Sequence, residues 1–109
     1  SKIIYNLNFV YKSGLVEFLV DFFKNPKAII IFGSFRKGED ISNSDIDIAV
    51  ESDEIKEYQI IGLRELTEFE KIIGKKIQIH LFNREKVGIN VFNNIANGIV
   101  LWGFLEVKK

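Results

Sequence analysis

From Ser13 to Lys24 apolar residues recur at intervals of three and four, with Leu15, Phe18, Leu19 and Phe22 on one stripe. That spacing predicts an amphipathic helix, which Pro26 ends. The pattern changes at Lys27, where the run Ala-Ile-Ile-Ile-Phe to Phe32 has no polar face and predicts a strand covered on both sides. Asp45 to Val50 alternates strictly, Ile46, Ile48 and Val50 against Asp45, Asp47 and Ala49, as in a half-buried strand carrying both aspartates on one face. Asp53 to Ile73 carries Ile55, Tyr58, Leu66, Phe69 and Ile73 near helical spacing; with Ser52 or Asp53 as cap and Gly74 as stop it predicts a second helix, kinked at Gly62. Lys76 to Phe82 alternates again and predicts a third strand, with Gln78, His80 and Phe82 on one face. Arg84 to Ala96 places Val87, Val91, Phe92 and Ile95 on one helical stripe, Asn97-Gly98 stops it, and Ile99 to Trp102 supplies a last strand. The expected fold class is α/β, a sheet with helices packed on it.

Length and composition narrow the function classes. A chain of 109 residues with 47% hydrophobic and 28% charged residues suits one compact core, so a single domain over residues 1–109 is expected. Fifteen basic residues balance fifteen acidic ones, which leaves no overall positive field for holding a long nucleic acid. The absence of cysteine removes disulfides, thiolate zinc sites and cysteine nucleophiles, so any metal is oxygen-bound, and a cytoplasmic location fits. The longest apolar run, Ala28 to Phe32, falls far short of the ~20 residues of a membrane span, and no charged-then-apolar leader opens the chain. The start at Ser1-Lys2, without methionine, is that of a processed chain or an excised domain. Trp102 and Phe104 offer base-stacking surfaces, but a last strand packed on helices is the simpler expectation for both.

Candidate chemistry gathers after the first strand. Gly33 lets the backbone approach a ligand closely, and the Ser34 hydroxyl with nearby N–H groups can donate to phosphate oxygens. A helix beginning at Phe35 would add its N-terminal dipole. The lysine-then-serine phosphate loop is absent, because Gly38 is followed by Glu39-Asp40. Asp45 and Asp47 project two carboxylates to one side of a strand, a separation that one hard cation such as magnesium bridges. An isolated pair of this kind is more often a solvated surface pair. Here Ser34 lies eleven residues earlier at the end of a central strand, and a hairpin-like return brings turn and carboxylates together.

The stretch Gly33-Ser34-Phe35-Arg36-Lys37-Gly38 through Ser44-Asp45-Ile46-Asp47-Ile48-Ala49-Val50 resembles the signature of the minimal nucleotidyltransferases of the DNA polymerase beta superfamily, archaeal type. Glycine-serine, a glycine four residues after the serine, and serine-aspartate-x-aspartate followed by apolar residues are all met; the resemblance spans residues 13–107. Lys37 stands where arginine is commoner, keeping charge but losing bidentate geometry. The chain also resembles archaeal relatives in which such a domain follows a winged helix.

The resemblance implies a polymerase beta-like fold with a mixed sheet of about four strands. It implies that Asp45 and Asp47 bind Mg2+, and that Gly33, Ser34, Arg36, Lys37 and Ser44 hold a nucleoside triphosphate, ATP in particular. A third carboxylate belongs on the strand Lys76 to Phe82, where the best register places Gln78, which can coordinate through its carbonyl but brings no charge and cannot act as a base. His80 is the candidate base, with Glu51 or Glu106 as candidate substitutes for the carboxylate. The implied activity is transfer of AMP from ATP to a hydroxyl acceptor, on a helical toxin partner that this domain neutralises as antitoxin. The alternative is a catalytically impaired nucleotide-binding or docking module, which Gln78 favours. A small DNA-binding domain is disfavoured by the neutral charge and the lack of an arginine-rich helix.

Overall fold

A computed structural model describes residues 2–33 and 45–106, the side chains of residues 2–6 excepted. The chain opens with α1 (Lys2–Lys12), where the stretch before Ser13 carried no expected element. Its Val10 is fully buried, with Leu7 packed beside it. Gly14, at φ 85°, turns the chain into α2 (Leu15–Phe22), while the Ser13 hydroxyl donates to Val10 O at 2.7 Å and accepts from the Leu15 N–H at 3.3 Å. The helix expected from Ser13 to Lys24 is therefore shorter at both ends. Lys24 and Asn25, both at φ 57°, reverse the backbone ahead of Pro26 and deliver it into β1 (Ala28–Phe32), buried along its whole length.

The remaining elements are β2 (Ile46–Glu51), β3 (Gln59–Ile61), a short 3₁₀ turn (Arg64–Leu66), α3 (Thr67–Ile73), β4 (Ile77–Phe82), α4 (Ile89–Ala96) and β5 (Ile99–Gly103). They form one mixed sheet in the order β3-β4-β2-β1-β5, with β2 and β4 parallel and the other neighbours antiparallel. Five strands stand where about four were expected. The extra one comes from the stretch read as a single helix from Asp53 to Ile73. There Gln59, Ile60 and Ile61 pair with Leu81, His80 and Ile79, so ladder formation along the exposed edge of β4 overrides the helical spacing. Only Thr67–Ile73 remains α-helical, ending at Gly74 in the left-handed conformation. The helix expected from Arg84 likewise starts late: Asn83 accepts through Oδ1 from the Glu85 N–H and through its carbonyl from the N–H groups of Lys86 and Val87. That turn, followed by extended Gly88, delays α4 to Ile89.

Alternation sends the strand side chains to two separate cores. Ile29, Ile31, Ile46, Ile48, Val50, Ile77 and Ile79 pack with Val10, Leu15, Leu19 and Leu66 beneath α1, α2 and α3. Ala28, Ile30, Phe32, Ala49 and Phe82 face the other way, onto Phe92 and Ile95 of α4 and onto Leu105. Both faces are thus covered, and β2, expected to be half-buried, is buried at every position except Asp47. Tyr11 ties the two ends of the fold together, its hydroxyl donating to Leu101 O at 2.8 Å. No helix among the described residues is long and apolar enough to cross a membrane.

At the far end of β2, Glu51 is only 4% exposed, and its carboxyl has no hydrogen-bond partner among the described residues. Burial raises its pKa above the ordinary value, while the nearby Lys27 charge pulls it back. A folded pKa raised above the unfolded one favours folding below the unfolded value, and that contribution is lost as pH rises through the folded value. Glu51→Gln is therefore expected to stabilise the protein at pH 8 and not at pH 4. Because the glutamine amide still lacks hydrogen bonds, only the buried charge is relieved, a gain of no more than about 1 kcal/mol, or a rise of up to roughly 4–8 °C in Tm for a domain of this size. Thermal melts of both proteins across that pH range check it.

Candidate active site

β1 and β2 are antiparallel neighbours in which Phe32 lies opposite Asp47, so the turn leaving β1 reaches the start of β2. Gly33 makes that turn at φ 79°, a conformation that costs a residue with a side chain roughly 1–2 kcal/mol. Space excludes a side chain as well: a Cβ on Gly33 would lie 2.8 Å from Asp47 Oδ2. The backbone of the turn and one aspartate oxygen thus meet directly. Ser34, Arg36, Lys37 and Ser44 lie outside the described residues.

On the other side of β2, the parallel ladder sets Asp47 against Gln78 and Ala49 against His80. The His80 side chain is 8% exposed, its Nε2 lies 3.0 Å from Asp47 Oδ1, and its ring packs edge-on against Phe32 with centroids 4.8 Å apart. Tyr58, just before β3, is hydrogen bonded through its hydroxyl to His80 Nδ1. Burial, and secondarily the Asp47 charge, push the Tyr58 phenol above its ordinary pKa, which keeps its proton in place. These side chains line a cleft of about 390 Å³ between the sheet and α4, closed on the helix side by Val91, Asn94 and Asn97.

Ladder pairing begins at Ile46, whose N–H donates to Lys76 O at 2.8 Å, so Asp45 stands just ahead of β2. Asp45 and Gln78 line a second hollow of about 380 Å³ along β3, together with Ile60 to Leu63, Lys76 and Glu70. Glu70 is already committed there, since its Oε2 accepts from the Ile77 N–H at 2.8 Å. Gly33, Asp47, His80 and Tyr58 thus line one cleft and Asp45 and Gln78 the other, with Asp47 and Gln78 direct neighbours across the ladder.

The remaining candidates fall elsewhere. Glu51 follows Asp47 by four residues on β2, a rise of about 13 Å, and lies near Lys27 and Arg84. Glu106 belongs to that same end, its backbone carbonyl accepting from Arg84 Nε at 2.7 Å. Neither carboxylate stands in for the one missing at Gln78. Trp102 packs partly buried against the core as expected, but Phe104 is 76% exposed because the chain leaves the sheet at Gly103. Tyr58, Asn94 and Asn97 were not anticipated in the cleft: Tyr58 reads as one more apolar position of a helix, Asn94 lies off the apolar stripe of α4, and Asn97 reads as its stop signal.

The donor set is hard and oxygen-based. Among the described residues no group of three or more histidines or carboxylates is arranged to hold a metal by itself. Asp47 keeps Oδ2 free of hydrogen bonds to the described residues, Asp45 adds a carboxylate and Gln78 an amide oxygen. This suits a magnesium ion held by one or two carboxylates and completed by substrate phosphates and water.

Residues 12–99 match the family described as "Nucleotidyltransferase domain". The chain belongs to that family, and its mixed five-stranded sheet with helices on both faces is a polymerase beta-like nucleotidyltransferase fold. Domains of this class transfer nucleotides and use a divalent metal. Among characterised sequences the chain is similar to the "Putative protein adenylyltransferase MJ1379" of Methanocaldococcus jannaschii, 44% identical over 54 residues, which cover 49% of this chain and 54% of that protein. The match spans about half the length of this relative. No solved structure matches the chain.

Proposed function

We propose that this domain transfers AMP from magnesium-bound ATP to a hydroxyl group on a partner protein. The observation that carries the reading is the close approach of turn and carboxylate: a Cβ on Gly33 would strike Asp47 Oδ2 at 2.8 Å, so only glycine lets the turn lie beside that oxygen in the cleft. A phosphate lying along that turn would meet a cation on Asp47. In this reading Asp47 and Asp45 hold Mg2+, Gly33, Ser34, Arg36, Lys37 and Ser44 hold the triphosphate, and Gln78 takes the third position with its carbonyl. The cation, when bound, neutralises charge on the phosphates and favours departure of pyrophosphate. The protein's own part is positioning: a backbone free of side chains at Gly33, a carboxylate fixed at Asp47, and a cleft walled from water by Phe32 and α4. A protein acceptor is supported by the similarity to an archaeal protein named for protein adenylylation. A helical toxin-like partner, with residues 1–109 acting as its cytoplasmic antitoxin, is the form of acceptor we favour.

A second reading rests on Gln78. With an amide opposite Asp47 the site lacks a side chain able to take the acceptor proton at that position, and the domain then binds nucleotide and partner without turnover. Incubation with labelled ATP, Mg2+ and candidate acceptor proteins separates the two. Transfer of label to a protein hydroxyl, reduced at least tenfold in Asp47→Asn, a loss in the range for disturbed metal ligation, supports catalysis. Binding of magnesium-ATP without transfer supports docking alone, and no binding at millimolar concentration sinks both.

A further inference from the structure

We infer that Tyr58 and His80 are positioning residues for Asp47: a hydrogen-bonded chain from the Tyr58 hydroxyl through the His80 ring fixes Asp47 Oδ1, so that Oδ2 is the oxygen presented at the Gly33 turn. The inference rests on the proposed role of Asp47 as a metal ligand, and concerns what holds that ligand in place.

The direction of each hydrogen bond follows from the atoms. Asp47 Oδ1, 3.0 Å from Nε2, belongs to a carboxylate and accepts, so Nε2 carries the ring hydrogen. In a neutral imidazole Nδ1 then accepts, and Tyr58 donates to it; the Tyr58 hydroxyl has no other hydrogen-bond partner among the described residues. The tautomer that this arrangement requires of a neutral ring is Nε2–H. The ring cannot easily turn away from its task, because the residue is 6% exposed and lies against Phe32 at 4.8 Å and Tyr58 at 5.9 Å between ring centroids.

Three different elements meet in this chain. Asp47 comes from β2, His80 from β4, and Tyr58 from the segment entering β3, so the parallel pairing of β2 with β4 and the added edge strand are both needed to build it. The result divides the work of the carboxylate. Oδ1 is held inside the sheet face, while Oδ2 sits where a Gly33 Cβ would strike it at 2.8 Å, on the side where the turn opens. Because Asp47 faces the neutral Gln78 amide across the ladder, no second carboxylate at that position competes for the histidine. An outer partner that orients a ligand in this way is typically worth 10- to 100-fold in metal affinity.

The test uses the full chain with two readouts, one of which requires no metal. The ¹⁵N resonances of His80 in the metal-free protein are expected to be those of a neutral ring protonated at Nε2 with a hydrogen-bonded Nδ1, and Tyr58→Phe is expected to move the Nδ1 resonance while Nε2 stays protonated. Binding of Mn2+ alone is expected to weaken 10- to 100-fold in His80→Phe. His80→Gln, whose amide nitrogen can reach the place of Nε2 and donate, is expected to restore affinity to within about threefold of the unaltered chain, on the same reasoning. An Nδ1–H tautomer, or a folded His80→Phe protein that binds Mn2+ as tightly as the unaltered chain, overturns the inference. If the unaltered chain binds no Mn2+, the metal role of Asp47 fails, and the tautomer together with the Tyr58→Phe shift still decides whether this chain of hydrogen bonds holds Asp47.

Discussion

Gln78→Asp is expected to raise nucleotidyl transfer about 100-fold, the lower end of what a positioned general base contributes. The ladder sets residue 78 directly beside Asp47 on the parallel neighbouring strand, so a carboxylate there would join the same sheet face. Glutamine offers a carbonyl oxygen to a cation but no charge and no site for the acceptor proton. The gain stays at the low end because a new carboxylate next to Asp47 repels it until a cation is bound. That repulsion gives the prediction a second signature: without metal the variant should melt below the unaltered protein, and Mg2+ should recover most of the difference. Initial rates of label transfer, with paired melts, measure both. A rate that stays the same or falls would mean that residue 78 is not where the missing carboxylate belongs.

A large effect on stability is expected at the junction of α4 and β5. Gly98→Ala would place a Cβ 2.4 Å from Ile31 O and 2.8 Å from both Ile30 Cγ2 and Phe32 Cβ. Two of these neighbours belong to the fully buried middle of β1, so they cannot yield by swinging into solvent. Overpacking of this kind costs about 2–3 kcal/mol, which corresponds to a fall in Tm of roughly 10–20 °C for a domain of this size. Because Asn94 and Asn97 wall the cleft from the same helix, magnesium-ATP binding should weaken along with stability. Gly62→Ala is the control, since a Cβ there meets nothing within 4 Å. A Gly98→Ala melt that matches the control would show that α4 can lift from the sheet at little cost.

Much of the fold is legible in the sequence because strands that alternate or run unbroken in branched residues have few other uses. Ala28–Phe32, Ile46–Glu51, Ile77–Phe82 and Ile99–Gly103 all fall within a residue of where the pattern puts them. The misreadings have a common cause, spacing that suits a helix overruled by a neighbour. Tyr58 joins a near-helical set on paper, yet the open edge of β4 recruits Gln59–Ile61 as a strand. Glu85 to Val87 look helical until Asn83 turns the chain with its own side chain. The site divides in the same way. The Gly33 and Asp47 contact can be anticipated from glycine at the end of one strand and aspartate near the start of the next. Tyr58 and His80 cannot, because their meeting depends on strand order and on a strand that the periodicity hides. Nor does alternation reveal that pairing starts at Ile46, one residue after Asp45.

The pairing of β1 with β5 bears on how this protein comes into being on the ribosome. Ile31 meets Ile99, and Tyr11 reaches Leu101 across 90 residues, so the central strand keeps one edge bare until almost all of the described chain has emerged. Contacts of such long range form late. α4, the wall of the cleft, is made in the same final stretch. Nascent chains cut short before Ile89 would carry Gly33 and Asp47 but not the helix that borders their cleft.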